Sequence, residues 1–364
     1  MLGHDAAAYH VNVSEQTALA VDTVFASIRI LSDLVADAQV GEFRGSERLP
    51  DSRLTRRPMA TVTRRTWLWM VTATMALYNG CYLWERLGRD PDGVPYSLVP
   101  IAPSRVAWDD ADSPRIDGEA VRFDSLRYIP RMTFPTVTPD LGTLLRLARQ
   151  VIAAAWAADA YRTDFWENGG APTIVLTTDQ TVPAAKAVEL RDAWAEARQS
   201  SPGKPAVLSS GLTVDELGAD LGADGATRAT STLGTAVARY FGIPPWLLNV
   251  PSEAGNLVYA NASAAGLDLV RYTLQPGYAG PIGDTLSDAL PGDYLAGRRV
   301  ILDLSHLTRG TVLEQAQAYA IATGNRPWML PSEVRTDLHM PMDMTLDENG
   351  APAPAIESIP TEAE

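Results

Sequence analysis

The chain has 364 residues, 46% of them hydrophobic and 20% charged. That is too apolar for a disordered protein and more than one simple core absorbs, so two or three lobes or one elongated subunit is expected. The formal net charge of −14 argues against a high-affinity duplex binder, though not against a protein past which DNA slides without sticking.

Ser14 to Ala38 (SEQTALAVDTVFASIRILSDLVADA) sets Leu19, Val21, Val24, Ile28, Leu31, Leu34 and Val35 at helical spacing, with Ser14 and Gln16-Thr17 as capping groups. A polar segment holding Gly41, Gly45 and Pro50 follows. The pattern predicts a second helix over Arg57 to Asn79. Inside it, Trp67 to Tyr78 is the most apolar run of the chain, with about half the length that spans a bilayer. It is expected to be a buried helix ending at a glycine turn, not a membrane segment. The N-terminal residues lack the charged and apolar regions of a secretory signal. Cys81 to Trp84 reads as a strand and Arg89 to Gly93 as a turn. Val94 to Ile101 and Arg105 to Trp108 read as further strands, and Glu119 to Ile129 as a strand pair. Helices followed by a meander make an α+β lobe.

Pro135 to Pro139 breaks this pattern. A long helix is predicted over Asp140 to Glu167, with Leu141, Leu144, Leu145, Ala148, Val151, Ile152, Ala155, Trp156 and Phe165 at three- and four-residue steps. It would span roughly 40 Å and stop at Asn168-Gly169-Gly170. A β-α-β pattern follows: strand Thr173 to Thr177, helix Pro183 to Gln199 with proline in its first turn, strand Ala206 to Ser209, and Leu212 to Leu217 as a third strand. After the loop Gly218 to Gly225, a helix over Ala226 to Phe241 is stopped by Gly242-Ile243-Pro244-Pro245, and Trp246 to Asn249 is short and apolar. Pro251 to Asn256 reads as a flexible loop. Val258 to Leu274 is helical and is interrupted by Pro276-Gly277 before Ile282 to Leu290. Arg299 to Leu304 reads as a strand, and Thr311 to Thr323 and Pro331 to Leu338 as short helices. Asp343 to Glu364 carries six acids and no basic residue, a solvated tail.

Catalytic signatures are missing from this sequence. A single cysteine, Cys81, excludes a disulfide framework, and His4, His10, His306 and His339 are scattered without metal-ligand spacing. Gly218, Gly222 and Gly225 match neither a dinucleotide fingerprint nor a P-loop. Asp220, Asp224 and Gly225 lack the rest of a calcium loop, as do Asp90, Asp92 and Gly93. Asp303, Ser305 and His306 are close in sequence, but neighbours on a strand point to opposite faces. Trp67, Trp69, Trp156 and Trp166 fall on helical stripes or at helix ends. No basic residues interleave with them into a groove, so core packing is the reading. No cofactor, metal or catalytic residue is expected. A hydrolase built on Asp109-Asp110 or Asp215-Glu216 is disfavoured because adjacent acids do not face one site without special loop geometry.

Five stretches, in order, resemble the portal proteins of long-tailed, siphovirus-type bacteriophages. Ala20 to Ala38 resembles their first helix. Asn79 to Val106 (NGCYLWERLGRDPDGVPYSLVPIAPSRV) resembles their strand, turn and L-x-P-I-x-P-x-R-V continuation. Ala157 to Leu176 (AADAYRTDFWENGGAPTIVL) resembles A-x-x-Y-x-x-x-F-x-x-N-G-x-x-P. Ala238 to Leu248 (ARYFGIPPWLL) resembles R-x-F-G-V-P-P-x-L-L, and Tyr259 to Pro276 resembles the Y-x-N helix after it. The likeness runs over about residues 18 to 340. It departs at Arg131 to Leu141, which lacks the H-x-R-G-like run, and after Pro331, where PSEVRTDLHM only loosely matches N-E-x-R.

The resemblance implies a ring, typically of twelve subunits, at one capsid vertex of the virion, through which DNA is packaged and later ejected. It implies a wing over residues 1–139, a first stem helix over 140–168, a β-α-β clip over 169–218 and a second stem helix over 219–248. A tunnel loop over 249–257, a long broken helix and wing return over 258–310, a short helical crown over 311–342 and a disordered acidic tail over 343–364 complete the pattern. The implied partners are further copies of the chain, the packaging terminase, a head–tail adaptor, the major capsid protein and transiently passing duplex DNA, with assembly in the host cytoplasm and no membrane. Pro251, Ser252, Glu253, Ala254, Gly255 and Asn256 would reach into the channel. Lys186, Arg191 and Arg198 would lie on the docking face for motor and adaptor, where mixed charge suits partner exchange. A long helix beside a small insert is sensible if neighbours bury it, and heterologous interfaces close into rings by rotation. Twelve copies at −14 carry about −168, a wall that repels phosphate at short range, screened over roughly 10 Å by salt. An adaptor or scaffold protein that never meets DNA is the rival reading.

Overall fold

A polar stretch of sequence turns out to form the central strand of a sheet. β1 (Gln39–Arg44) pairs on one side with β2 (Glu47–Leu49), through a turn at Gly45 with φ 63°. On the other side it pairs with the distant strand β11 (Arg298–Asp303), antiparallel from Gln39↔Asp303 to Arg44↔Arg298. The computed structural model describes residues 13–109, 113–132, 147–167, 174–178, 183, 185–189, 192, 212–216, 223–250, 266–291, 297–308, 312–324 and 327–337. The chain divides into two units, Met1–Leu307 and Thr308–Glu364.

The first predicted helix is two. In α1 (Glu15–Leu19), Ser14 and Thr17 cap each other reciprocally: Ser14 Oγ accepts the Thr17 N–H and Thr17 Oγ1 accepts the Ser14 N–H at 2.8 Å. Val21 is extended and buried, and α2 (Asp22–Ala36) starts after it. Val24, Ile28, Leu31 and Val35 form the inner face of α2, against Trp67, Leu68, Val71 and Met75 of α4 (Arg64–Tyr78). The Trp67 indole N–H donates to the Leu98 carbonyl at 2.7 Å, so a fully buried polar group keeps a partner.

The second helix begins later than the pattern predicts. A short turn, α3 (Arg53–Arg56), ends at Arg57, which precedes Pro58 and is driven out of the helical region. α4 then starts afresh on the Thr63 cap. At its other end the left-handed residue is Asn79 (φ 63°), not a glycine. The Asn79 side-chain amide donates to the Met132 carbonyl at 2.9 Å. Gly80 already belongs to β3 (Gly80–Trp84), where a Cβ would sit 2.1 Å from the Tyr128 hydroxyl.

β3 is the centre of a second sheet, between β4 (Val99–Ile101) and β8 (Leu126–Pro130). The expected strand Val94 to Ile101 is thus confined to its last residues. A third, small sheet joins β5 (Val106–Trp108), β6 (Pro114–Ile116) and β7 (Glu119–Ala120).

Farther along, α5 (Arg149–Glu167) packs beside α6 (Ala223–Phe241). The predicted start of the long helix, Asp140 to Arg146, lies outside the described residues. α6 begins three residues earlier than the pattern suggested. Between them lie the paired strands β9 (Ile174–Thr178) and β10 (Leu212–Glu216). Pro276 does not interrupt the next helix. It lies in a π-helical segment, Val270–Ala279, that runs directly into α7 (Gly280–Ala289). The wider turn bonds the Gly280 N–H to the Gln275 carbonyl five residues back and absorbs the proline, which can neither donate nor tolerate a carbonyl four residues behind it. In the second unit, α8 (Val312–Ala322) and α9 (Pro331–Asp337) follow the expected pattern. The tail Asp343 to Glu364 lies outside the described residues.

β11 is held by more than its ladder. Glu42, fully buried, accepts from the Ser52 N–H at 2.8 Å, from Thr55 Oγ1 at 2.7 Å and from the Arg298 guanidinium, whose Nε is at 3.0 Å. From above, α7 lies on β11 at Gly283. There the Val300 carbonyl would be 2.7 Å from any added Cβ, and Ser287 Oγ accepts the Val300 N–H at 2.8 Å.

Two outcomes are expected. Burial pushes the Glu42 carboxyl up, but the hydrogen bonds from Ser52, Thr55 and Arg298 outweigh it and hold its pKa below the ordinary 4.5. A depressed carboxyl stabilises the fold fully above the unfolded pKa, and that contribution is lost as pH falls below it. Glu42→Gln should therefore lower unfolding free energy at neutral pH by about 3 kcal/mol. In denaturant titrations the gap to the parent should close as pH falls below about 4. Gly283→Ala, by forcing α7 off the Val300 carbonyl, should cost about 1–3 kcal/mol in the same assay.

Candidate functional site

The described residues hold no catalytic constellation. The Cys81 thiol is buried, and burial pushes its pKa up to about 12, so it stays protonated and unreactive. Ser305 Oγ donates to Asp303 at 2.9 Å, whereas His306 faces Asp37 at 3.2 Å, so the Asp303, Ser305 and His306 trio is not brought into a relay. Asp109 accepts the Ser113 N–H at 2.9 Å and lies 3.7 Å from Arg115, while Asp110 is outside the described residues. Asp215 and Glu216 are successive residues of β10. Among the described residues no three His, Cys, Asp or Glu are grouped to hold a metal, and no helix is long and apolar enough to cross a membrane.

What the fold does build is a helix pair with a firmly anchored end. α6 buries Val237, Ala238 and Phe241, and α5 buries Ile152, Ala153 and Ala155. The end of α6 is a Schellman motif. Gly242 (φ 72°) donates to the Arg239 carbonyl, and the Ile243 N–H reaches back to the Ala238 carbonyl at 3.0 Å. Ile243 is buried, as the motif's apolar contact requires. Pro244 and Pro245 then prevent the helix from continuing, and the turn Pro245–Leu248 ends at Asn249 in the left-handed region (φ 53°).

Two side chains hold the free carbonyls of this end. Thr273 Oγ1 donates to the Gly242 carbonyl at 2.7 Å, and Arg131 Nη2 donates to the Phe241 carbonyl at 3.0 Å. A cation at a helix C-terminus also opposes the negative end of the helix dipole. The same guanidinium lies 5.2 Å over the ring of buried Tyr278. Burial pushes the Tyr278 hydroxyl up to about 12 against the pull of Arg131, so it remains neutral. α6 is thereby tied both to the residue after β8 and to the π-helical segment.

The predicted site residues fare unevenly. Pro251, Ser252, Glu253, Ala254, Gly255 and Asn256 lie outside the described residues, which stop one residue beyond Asn249. Lys186 sits exposed in a helical stretch over 185–189, while Arg191 and Arg198 lie outside the described residues, as does the expected strand Ala206 to Ser209. The described partner of β9 is the third expected strand, β10, antiparallel from Leu212↔Thr178 to Glu216↔Ile174.

The exposed apolar surface is what the sequence pattern misassigned. Trp156 and Leu147 lie on or beside the stripe read as core, yet are 37% and 43% exposed, and Tyr240 on α6 is 37% exposed. Trp69 is also partly exposed, with its indole N–H on Asp33 at 3.0 Å. Periodicity reports that a face is apolar and cannot say what covers it.

Comparison with known proteins gives these features a context. The chain superposes on the crystal structure of an HK97-family phage portal protein from Corynebacterium diphtheriae with a TM-score of 0.60 at 17% identity, covering 81% of this chain and 96% of that one. It matches a chain from the neck of an empty gene transfer agent (GTA) particle, computed with C6 symmetry, at a TM-score of 0.61 and 20% identity over 92% and 95% of the two chains. A chain from the neck of a native GTA particle, computed with C12 symmetry, gives 0.57 and 21% over 90% and 92%. No curated protein matches the chain. The family model described as phage portal protein matches residues 22–338, from α2 to the residue after α9, and with that span matched the chain belongs to the phage portal protein family.

Proposed function

We propose that copies of this chain close into a ring at one vertex of a phage capsid, a channel through which duplex DNA is packaged and later ejected and at which head and tail join. Family membership across residues 22–338 carries this reading. The likeness to neck chains in particles computed with C6 and C12 symmetry supports a ring, of twelve copies in our reading, within a virion. The anchored pair α5 and α6 supports it physically. Apolar side chains such as Trp156 and Leu147 on α5 and just before it are suited to burial by a neighbouring copy, and a heterologous contact of this kind closes into a ring by rotation.

In this reading residues 1–139 and 258–310 form the wing, closed on itself by the β1–β11 ladder. Residues 140–168 and 219–248 form the stem, 169–218 the clip, 249–257 the tunnel loop and 311–342 the crown. The protein makes and breaks no bonds. The packaging terminase drives DNA, the clip receives first the terminase and then the head–tail adaptor, and the wing meets the major capsid protein, with assembly in the host cytoplasm. The net charge of −14 per copy keeps the duplex from adhering to the channel wall.

Three measurements test the proposal. Two-dimensional class averages of the purified protein should show perforated rings, and averages of the virion should place the ring where the tail attaches; compact monomers at that position would overturn it. Deleting Ser252 to Asn256 should leave rings intact while reducing the number or length of packaged genomes, whereas normal packaging would remove the tunnel-loop assignment. Arg191→Ala or Arg198→Ala should weaken both terminase stimulation and adaptor binding in pull-down and ATPase assays; unchanged values would move the docking face elsewhere.

A further inference from the structure

The acids of this chain are unevenly placed. Among its 44 acidic residues none falls between Ser52 and Trp84, the longest acid-free stretch of the sequence, and that stretch carries Arg53, Arg56, Arg57, Arg64 and Arg65 and no lysine. The fold gathers part of this run. A cavity of about 410 Å³ is lined by Arg56, Arg64 and Arg65 together with Thr63 and the end of α2 at Asp37. Among the described residues, the one carboxylate that meets these three arginines is that of Asp37, on Arg65, which His306 shares. Arg64 reaches the Thr55 carbonyl at 3.5 Å. Arg56 and Arg57 are exposed and meet no carboxylate among the described residues. Arg64 and Arg65 also occupy the first turn of α4, where an acid is the favourable choice and a cation opposes the helix dipole. A fold that accepts this local electrostatic cost gains from an anion placed there.

We infer that the surface around Arg56, Arg57 and Arg64 is a contact for the phosphate backbone of duplex DNA, separate from the channel loop. The inference rests on the portal reading, which supplies the duplex. Two observations favour DNA over the acidic face of a second copy. The cationic groups are all guanidinium groups, whose forked donors fit phosphate oxygens. The cavity, about 410 Å³, is an open hollow with more room than one carboxylate side chain fills, and it leaves the arginines accessible to a backbone laid across it. The net charge of −14 does not cancel the patch, because salt screens distant charges beyond roughly 8–10 Å while a phosphate in contact senses the nearest arginines. Contacts of this kind carry no sequence information, as befits a protein that handles a whole genome.

The test uses the full-length protein, with fluorescence anisotropy of a labelled 30-base-pair duplex over a salt series. Ring mass is recorded on the same samples, so the portal reading is judged by the mass and the inference by the DNA. Arg56→Gln combined with Arg57→Gln should weaken binding at least about tenfold and reduce the slope of log K against log salt by about 2, one unit per lost phosphate contact. Arg86→Gln combined with Arg122→Gln removes the same charge elsewhere and should leave the slope nearly unchanged. Equal losses in both pairs would overturn the inference by reducing it to net charge. Unchanged DNA binding with altered ring mass would also overturn it, by assigning the arginines to a neighbouring copy, and no change in either readout would end it.

Discussion

The architecture of the first unit depends on one buried ion pair. Glu42 and Arg298 are 256 residues apart, yet they close the ladder between β1 and β11 that ends the first unit. Taking a carboxylate out of water is costly, and a buried pair contributes net stability only when its remaining lone pairs are filled. Here Ser52 and Thr55 fill them. The pair also specifies register. A slip of one residue would turn Glu42 to the opposite face of β1 and leave it without Arg298, Ser52 and Thr55. With β11 so fixed, α7 can approach to backbone contact at Gly283, and the π-helical segment before it is carried into place against the core around Tyr278 and Leu274.

The second constraint lies at the end of α6. Gly242, Ile243 and the two prolines after them are among the residues that carry the likeness to phage portals, and the structure gives each a physical task. The glycine takes the left-handed conformation, the isoleucine closes the Schellman motif, and the prolines forbid another turn. Arg131 and Thr273 arrive from elsewhere in the chain to occupy the remaining carbonyls. The direction in which the chain leaves Asn249 is therefore set by a firmly bonded junction.

Charge acts on two length scales. Summed over the chain it is strongly negative, a field that repels other anions at short range. Over a few ångströms the balance differs: Arg56, Arg64 and Arg65 line one hollow with a single acid, Asp37, and Arg57 is exposed next to Arg56 in the chain. Because salt damps the first scale and leaves the second nearly intact, a ring can be repulsive as a whole and still hold a duplex at one place.

Periodicity, helix stops and turn residues were enough to read α2, α4, α5, α6 and the strands β3, β5, β9 and β11 from the amino-acid sequence, because those signals are local. Fifteen consecutive residues carry the stripe of α4, and Gly242 with Pro244 ends α6 whatever lies nearby. The ordered motifs likewise pointed to the portal family, since they are spread over most of the chain. The strands β1 and β2 were not legible, because β1 is a strand by virtue of a partner far along the chain and buries a glutamate that reads as surface. Pro276 misled for a related reason: proline breaks an α-helix, but packing of Tyr278 and Leu274 retains the segment as a wider helix. Which apolar residues stay exposed, and where five arginines come to lie, was decided by the tertiary structure alone. Burial and electrostatic potential are properties of neighbours in space, and the order of residues along a chain does not contain them.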